Sequence, residues 1–170
     1  MLKSLWQFYT AGRKFQNTLA KTIAYLPVGN LYVLKRYQET FLPYKSDLDA
    51  QGRYDKTQEY NGAELTIMLK GGDCESLAAF FSEIIRAWLG WESWHVMFVF
   101  IDDSDGEYKA HDVAFFKRPN GTVGWIDGWA ESNFLHEGGY EAFVPFYATW
   151  GWYVEGWWLV NDMGEKLQQG

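Results

Sequence analysis

The chain has 170 residues, 48% hydrophobic and 22% charged, with 15 Lys plus Arg against 22 Asp plus Glu and a formal charge of −7. That length suits one domain with an ample core, and that composition excludes wholesale disorder. One cysteine excludes an internal disulfide, one cysteine with three His argues against structural zinc, and the acidic balance argues against a general nucleic-acid binder. No apolar run approaches the roughly 18 residues of a membrane span. The opening MLKSLWQFYTAGRK lacks the continuous apolar stretch of a secretory signal, which favours a cytoplasmic or virion-associated setting over secretion.

Charge is unevenly spread. Residues 1–38 carry Lys3, Arg13, Lys14, Lys21, Lys35 and Arg36 and no acid, so the excess of acid lies entirely beyond them. Such an arm docks on the chain's own acidic body, is simply a solvated helix face, or reaches an acidic partner or anionic surface, such as a protein with which the chain assembles. The expected division is a basic helical N-terminal arm over 1–43 and an α+β domain over 44–170.

In chain order, Leu2, Leu5, Trp6, Tyr9, Phe15, Leu19 and Ile23 show helical period over 2–25, punctuated by Pro27 and Gly29. A second helix is expected over 31–42, ending before Pro43, followed by a polar loop over 44–60. Asn61 and Glu64 form a capping pair for a short helix reaching about Leu69, which Gly71 and Gly72 break. A longer helix runs from Asp73 to Leu89, with Leu77, Ala78, Phe81, Ile84, Ile85 and Trp88 on one face and Gly90 closing it. Strands are expected at 94–101, apolar enough to be covered on both faces, at 108–117 and at 122–129. Asp-Asp-Ser-Asp-Gly and Arg-Pro-Asn-Gly supply the intervening turns. A last strand is expected at 151–160, a fraying tail follows it, and the Gly- and aromatic-rich region beyond Ser132 carries no assigned element. Helices first and strands after favour one α+β domain.

The cysteine stands in Gly72-Asp73-Cys74-Glu75, in the first turn of the long helix. Free N–H groups and the positive end of the helix dipole there favour thiolate over thiol, and the same groups can hold an oxyanion. The alternative is a buried, inert cysteine. A base is then required. A three-residue loop at Arg118–Thr122 makes opposed residue numbers sum to 240, so odd residues oppose odd ones and His111 and Asp127 share a face. Asp127 opposes Val113 and lies diagonal to His111, about 7–8 Å away between backbones, from where a carboxylate can orient an imidazole. His95 is the rival base but reads as a core or edge histidine, and His136 reads as a solvated loop residue. Asp112 points to the opposite strand face from His111. The acids Asp102, Asp103 and Asp105 read as a plain turn rather than a calcium loop. Asn120-Gly121-Thr122 fits a glycosylation sequon, without any sign of a secretory route.

A Cys at a helix start followed by His and Asp on successive strands resembles the bacterial transglutaminase-like cysteine peptidases, with their Gly-Asp-Cys-Glu-Asp run and later His and Asp. Residues 72–75 match four of those five positions, and Ser76 replaces the second acid. Tyr60, Gly62 and Glu64 stand near the family's upstream Trp, Pro and Glu, and only the Glu is retained. His111 is followed by Asp112 rather than a small residue. The resemblance spans about Asp55–Trp129. It implies a papain-like, transglutaminase-like α+β core with the Cys helix packed on an antiparallel sheet, Cys74 as nucleophile, His111 as base and Asp127 as its orienter. It also implies hydrolysis of a peptide or amide bond, with transamidation as the other outcome of the thioester. Calcium is implied for some members through acids flanking the cysteine, which the loss at Ser76 weakens; no other cofactor is implied. Two other classes stand beside this one. The first is a decayed enzyme serving as an assembly component, such as part of a phage particle. The second is a ligand-binding module built on Trp125, Trp129, Trp150, Trp152, Trp157 and Trp158.

Overall fold

The computed structural model describes residues 31–45, 63–129, 135–160 and 166–170. The helix expected over 2–25, the capping residue Asn61 and most of the 44–60 loop lie outside the described residues.

Helix α1 spans Leu31–Phe41, α2 Ala63–Leu69 and α3 Cys74–Ile84. A single wide turn of π-helix, Ile85–Leu89, continues α3, and Gly90 closes it in the left-handed conformation (φ 66°). The long helix expected over 73–89 thus forms, with its last turn opened to i→i+5 spacing. Strands follow at β1 (Glu92–Asp102), β2 (Tyr108–Lys117), β3 (Val123–Ile126) and β4 (Leu135–Glu137). Helix α4 (Tyr140–Ala148) comes next, then β5 (Trp152–Val160) and β6 (Lys166–Gln169). One six-stranded antiparallel sheet runs β4-β3-β2-β1-β5-β6.

Alternation along the strands explains why both faces are apolar. On one face Ala114, Phe116 and Ile126 pack against Leu77, Phe80, Phe81 and Ile84 of α3, joined by Leu31 and Leu34 of α1 and by Leu42. On the other, Val96, Phe98, Val113, Phe115 and Trp125 pack against Phe143 and Tyr147 of α4. Aromatics fill this second layer: Phe98 meets Phe143 edge-on at 4.8 Å between centroids, and Phe115 stacks on Tyr140 at 5.0 Å. The sheet is the central layer between two sets of helices, with α1 docked in the same core as the helix that carries the cysteine.

Three expectations are corrected. The 166–169 segment does not fray but pairs with β5, Leu159 opposite Gln168. The Gly- and aromatic-rich region contains both β4 and α4. Pro145 inside α4 hides that helix from a reading that treats proline as a breaker. The third strand stops at Ile126 instead of reaching Trp129, because backbone pairing with β2 and β4 ends there. The next residues, Asp127, Gly128 and Trp129, turn away, and Gly128 sits so tightly on α3 that a Cβ would lie 2.6 Å from Leu77 Cβ.

That contact gives a first expected outcome. Gly128→Ala should cost about 1–3 kcal/mol by overpacking, and combining it with Leu77→Ala should cost less than the two single changes together. Urea unfolding of the four proteins measures the coupling.

Candidate active site

Sequence dictates the start of α3 closely. Asp73 is the N-cap, its Oδ1 accepting from the Ser76 backbone N–H at 2.9 Å. Gly72 lies so near the first turn that a Cβ would stand 2.4 Å from Ser76 Cβ, and its carbonyl accepts from Lys45 N at 2.8 Å. Gly-Asp-Cys is therefore a close approach, a cap and the first helical residue in succession. Cys74 is half-buried, and its thiol donates to Glu75 Oε2 at 3.2 Å.

Burial pushes the Cys74 thiol well above its usual range, and the charges of Glu75, Asp112 and Asp73 push the same way. The expectation that the helix start alone favours thiolate is corrected: removal from water and three neighbouring acids outweigh about half a unit of dipolar charge. Glu75 is itself raised to about 7, by burial first and the charge of Asp73 next, so near neutral pH it titrates beside the thiol.

His111 and Asp127 are brought together. The register between β2 and β3 pairs Ala114 with Ile126 and Phe115 with Trp125, numbers summing to 240 as the loop chemistry requires. His111 Nε2 lies 3.1 Å from both carboxylate oxygens of Asp127. The carboxylate also accepts from the Trp129 backbone N–H at 2.8 Å and the Tyr147 hydroxyl at 2.5 Å. Asp127 is wholly buried and His111 nearly so. Burial alone would raise Asp127, but the His111 charge and the hydrogen bonds from His111, Tyr147 and Trp129 hold it down to about 2. For His111, burial pulls downward and the charge and hydrogen bond of Asp127, with the charges of Asp112 and Glu75, override it, so the imidazole is raised. Nε2 is the nitrogen engaged by Asp127, so Nδ1 is the nitrogen left to exchange protons. Phe98, Trp129 and Trp152 surround the ring edge-on at 5.5–5.7 Å between centroids.

His111 shares its strand face with Val113 and Phe115, which pack with α4, whereas Asp112 shares the face of Ala114 and Phe116, which pack with α3. Among the described residues the thiol's hydrogen bond is to Glu75, and none joins Cys74 to His111.

Other expectations resolve individually. His95 is a buried residue on β1, as expected of a core histidine, with Nδ1 3.7 Å from Asp112 Oδ2. Asp112 is raised, mainly by burial, and neither of its oxygens makes a hydrogen bond of ordinary geometry among the described residues. His136 is corrected from a solvated loop residue to a half-buried residue of β4, stacked on Trp125 at 4.8 Å. In the acidic turn, Lys109 Nζ reaches Asp102 Oδ2 at 2.7 Å and Asp105 Oδ2 at 2.6 Å, which makes it a salt-bridged hairpin end.

Calcium is a poor fit. Asp73 spends an oxygen capping the helix, Glu75 spends one on the thiol, and Ser76 stands where a second acid would be needed. Among the described residues no three His, Cys, Asp or Glu side chains are grouped to hold a metal.

Sequence reasoning missed Tyr147 and Lys35. Tyr147 lay in the region without an assigned element. Lys35 carried a signal: Leu31, Leu34, Lys35 and Gln38 fall at the i, i+3, i+4, i+7 spacing of a buried stripe, and all four are buried.

No protein-family model matches the chain, and neither does any curated protein. Solved structures do match. Legionella pneumophila LapG covers 91% of this chain and 80% of its own, with a TM-score of 0.50 and 16% identity. The EGTA-treated form covers 93% and 81%, with a TM-score of 0.50 and 17% identity. The calcium-bound form has a TM-score of 0.49 and 18% identity over 91% of this chain and 82% of its own. This likeness shows the fold: an α+β, transglutaminase-like core with the cysteine helix packed on an antiparallel sheet.

Asp112 and Asp127 should act oppositely on stability. The ionised Asp127, depressed to about 2, contributes about 2–3 kcal/mol that is full above the unfolded carboxyl value near 4 and lost as pH falls through 2. Asp112, raised, favours the protonated form, so its contribution fades as pH rises from about 4 upward. Urea midpoints from pH 2 to 7 should therefore show Asp112→Asn gaining stability at neutral pH and Asp127→Asn losing it.

Proposed function

We propose that the chain is a thiol-dependent acyl-transfer enzyme that hydrolyses a peptide or amide bond through Cys74, His111 and Asp127. The observation that carries this reading is the buried imidazole–carboxylate pair, with every partner of Asp127 in place, in a fold whose first-turn cysteine lies on the helix packed against the same strand. A merely structural histidine does not need a carboxylate held by three separate donors.

In this reading the conformation described is the resting state, with the thiol protonated and held by Glu75. Catalysis requires the thiol to leave Glu75 and pass from the α3 side of β2 to the imidazole on its α4 side. His111 Nδ1 takes the thiol proton, and the thiolate adds to the carbonyl carbon of the scissile bond. Backbone N–H groups of the first turn of α3 stabilise the resulting oxyanion. The tetrahedral adduct collapses as the imidazolium gives its proton to the departing amine. Water, deprotonated by His111, then cleaves the thioester, releasing a carboxylic acid and restoring the thiol. Asp127 keeps its charge throughout, stabilising the imidazolium and fixing the ring.

A second reading has an observation in its favour. The thiol is raised and bonded to Glu75 rather than to the imidazole, the pattern expected of a transglutaminase-like fold that has lost activity and serves as a structural or assembly protein. Alkylation separates the two. Under the enzymatic reading, iodoacetamide should modify Cys74 in the folded protein near pH 6–7, and His111→Ala should slow this at least about tenfold, as loss of a general base does. Modification that begins only on unfolding, or that ignores His111→Ala, would establish the scaffold reading. A peptide library digested by wild type and not by Cys74→Ser would then give the substrate class.

A further inference from the structure

We propose that Lys35 is a positioning residue for the His111–Asp127 pair: its buried ammonium clamps the turn that carries Asp127, and so sets how firmly the carboxylate holds the imidazole. For its consequence in catalysis, the inference rests on the enzymatic reading above.

Lys35 is on α1 and has no exposed surface. An ammonium has three donors and no acceptor, and all three are matched. Nζ donates to Gln38 Oε1 at 2.9 Å, to the Asp127 carbonyl at 2.9 Å and to the Trp129 carbonyl at 3.2 Å. Gln38 is oriented in turn, its Nε2 donating to the Leu42 carbonyl at 2.9 Å where α1 ends. A lysine buried this way is costly, and burial lowers its proton affinity against the raising charges of Asp127 and Glu39.

What distinguishes this clamp from an ordinary core anchor is where it lands. Ladder pairing of β3 ends at Ile126, so the carbonyls of residues 127 and 129 fall just past the last strand bonds. Gly128 between them has no side chain to lock the turn and rests on Leu77. Lys35 supplies the missing backbone bonds on both sides of that glycine. The same three residues present two of the groups that flank the imidazole: the Asp127 carboxylate, and the Trp129 ring at 5.7 Å. The Trp129 N–H that holds Asp127 Oδ1 belongs to the clamped turn as well. Loosening the carbonyls therefore loosens the donor that aims the carboxylate.

The sign of one measurement separates positioning from simple charge. The ammonium is a positive charge near Asp127 and His111, so deleting it through space alone would raise the His111 midpoint. If Lys35 acts by position, deleting it weakens the carboxylate–imidazole bond and lowers that midpoint, although the charges of Asp112 and Glu75 still act to raise it. The experiment is a histidine ring NMR titration of the full chain, comparing wild type, Lys35→Met, Asp127→Ala and the double variant. Lys35→Met should lower the His111 midpoint by about one pH unit, the scale of a lost charge-assisted partner, and should lower it no further in Asp127→Ala. A midpoint unchanged or raised in a folded Lys35→Met protein, or an equal fall in the Asp127→Ala background, would overturn the proposal. Lys35→Gln, a shorter arm that keeps polar donors, carries the same expectation if the Met variant does not fold. Failure of both to fold would make Lys35 an anchor of the whole core and overturn it too. Iodoacetamide trapping of Cys74 in the same wild-type sample keeps the premise separate: His111-independent labelling removes the catalytic consequence and leaves the midpoint result standing.

Discussion

The buried ion pair between His111 and Asp127 is the constraint around which much of the molecule is arranged. An imidazole and a carboxylate inside an aromatic layer would ordinarily be neutralised by burial. Here the carboxylate stays ionised because a ring nitrogen, a phenol and a backbone N–H all donate to it. Those donors come from β2, from α4 and from the turn after β3, and α1 reaches the same turn from the other side of the sheet through Lys35. Donors from β2, α4 and the turn itself thus meet at one carboxyl group while α1 holds the backbone of that turn, and loss of any of the three donors would leave a buried charge short of a partner.

Around the cysteine the balance runs the other way. A helix N-terminus offers a modest positive potential, worth about 0.3–1 kcal/mol at a surface. Against it stand removal of the sulfur from water and three acids, Asp73 by its capping role, Glu75 by the adjacent position and Asp112 from the facing side of β2. Burial first and the acids after it outweigh the dipole, so the thiol is held well above its usual range while it donates to Glu75. The same Asp73 that shapes the helix start therefore also restrains the nucleophile, so local folding and local chemistry compete for one side chain.

Much of this was legible from residues alone wherever the deciding contacts are local. The Arg118-Pro-Asn-Gly loop sets a register by its own turn geometry, and that register puts His111 and Asp127 on one face of adjacent strands. Asp73 and Gly90 mark the two ends of a helical segment by cap chemistry. Local signals failed where a partner far along the chain decides. Helix α4 carries a proline and a weak apolar stripe and is held by the aromatic layer, so neither period nor breaker rules reveal it. The 166–169 segment reads as a polar tail until β5 offers it an edge.

By itself, the sequence determined the α+β class, the helix-start cysteine and the strand register that unites an imidazole with a carboxylate, because caps, turns and alternation act over a few neighbouring residues. Tertiary structure alone decided the directions in which Cys74, Asp112 and Asp127 are shifted, the engagement of His95 with Asp112, and the burial of Lys35 under the Asp127 turn. Each of those depends on how much water is removed and which groups from distant elements replace it, and solvent exclusion is a property of the packed chain rather than of any segment within it.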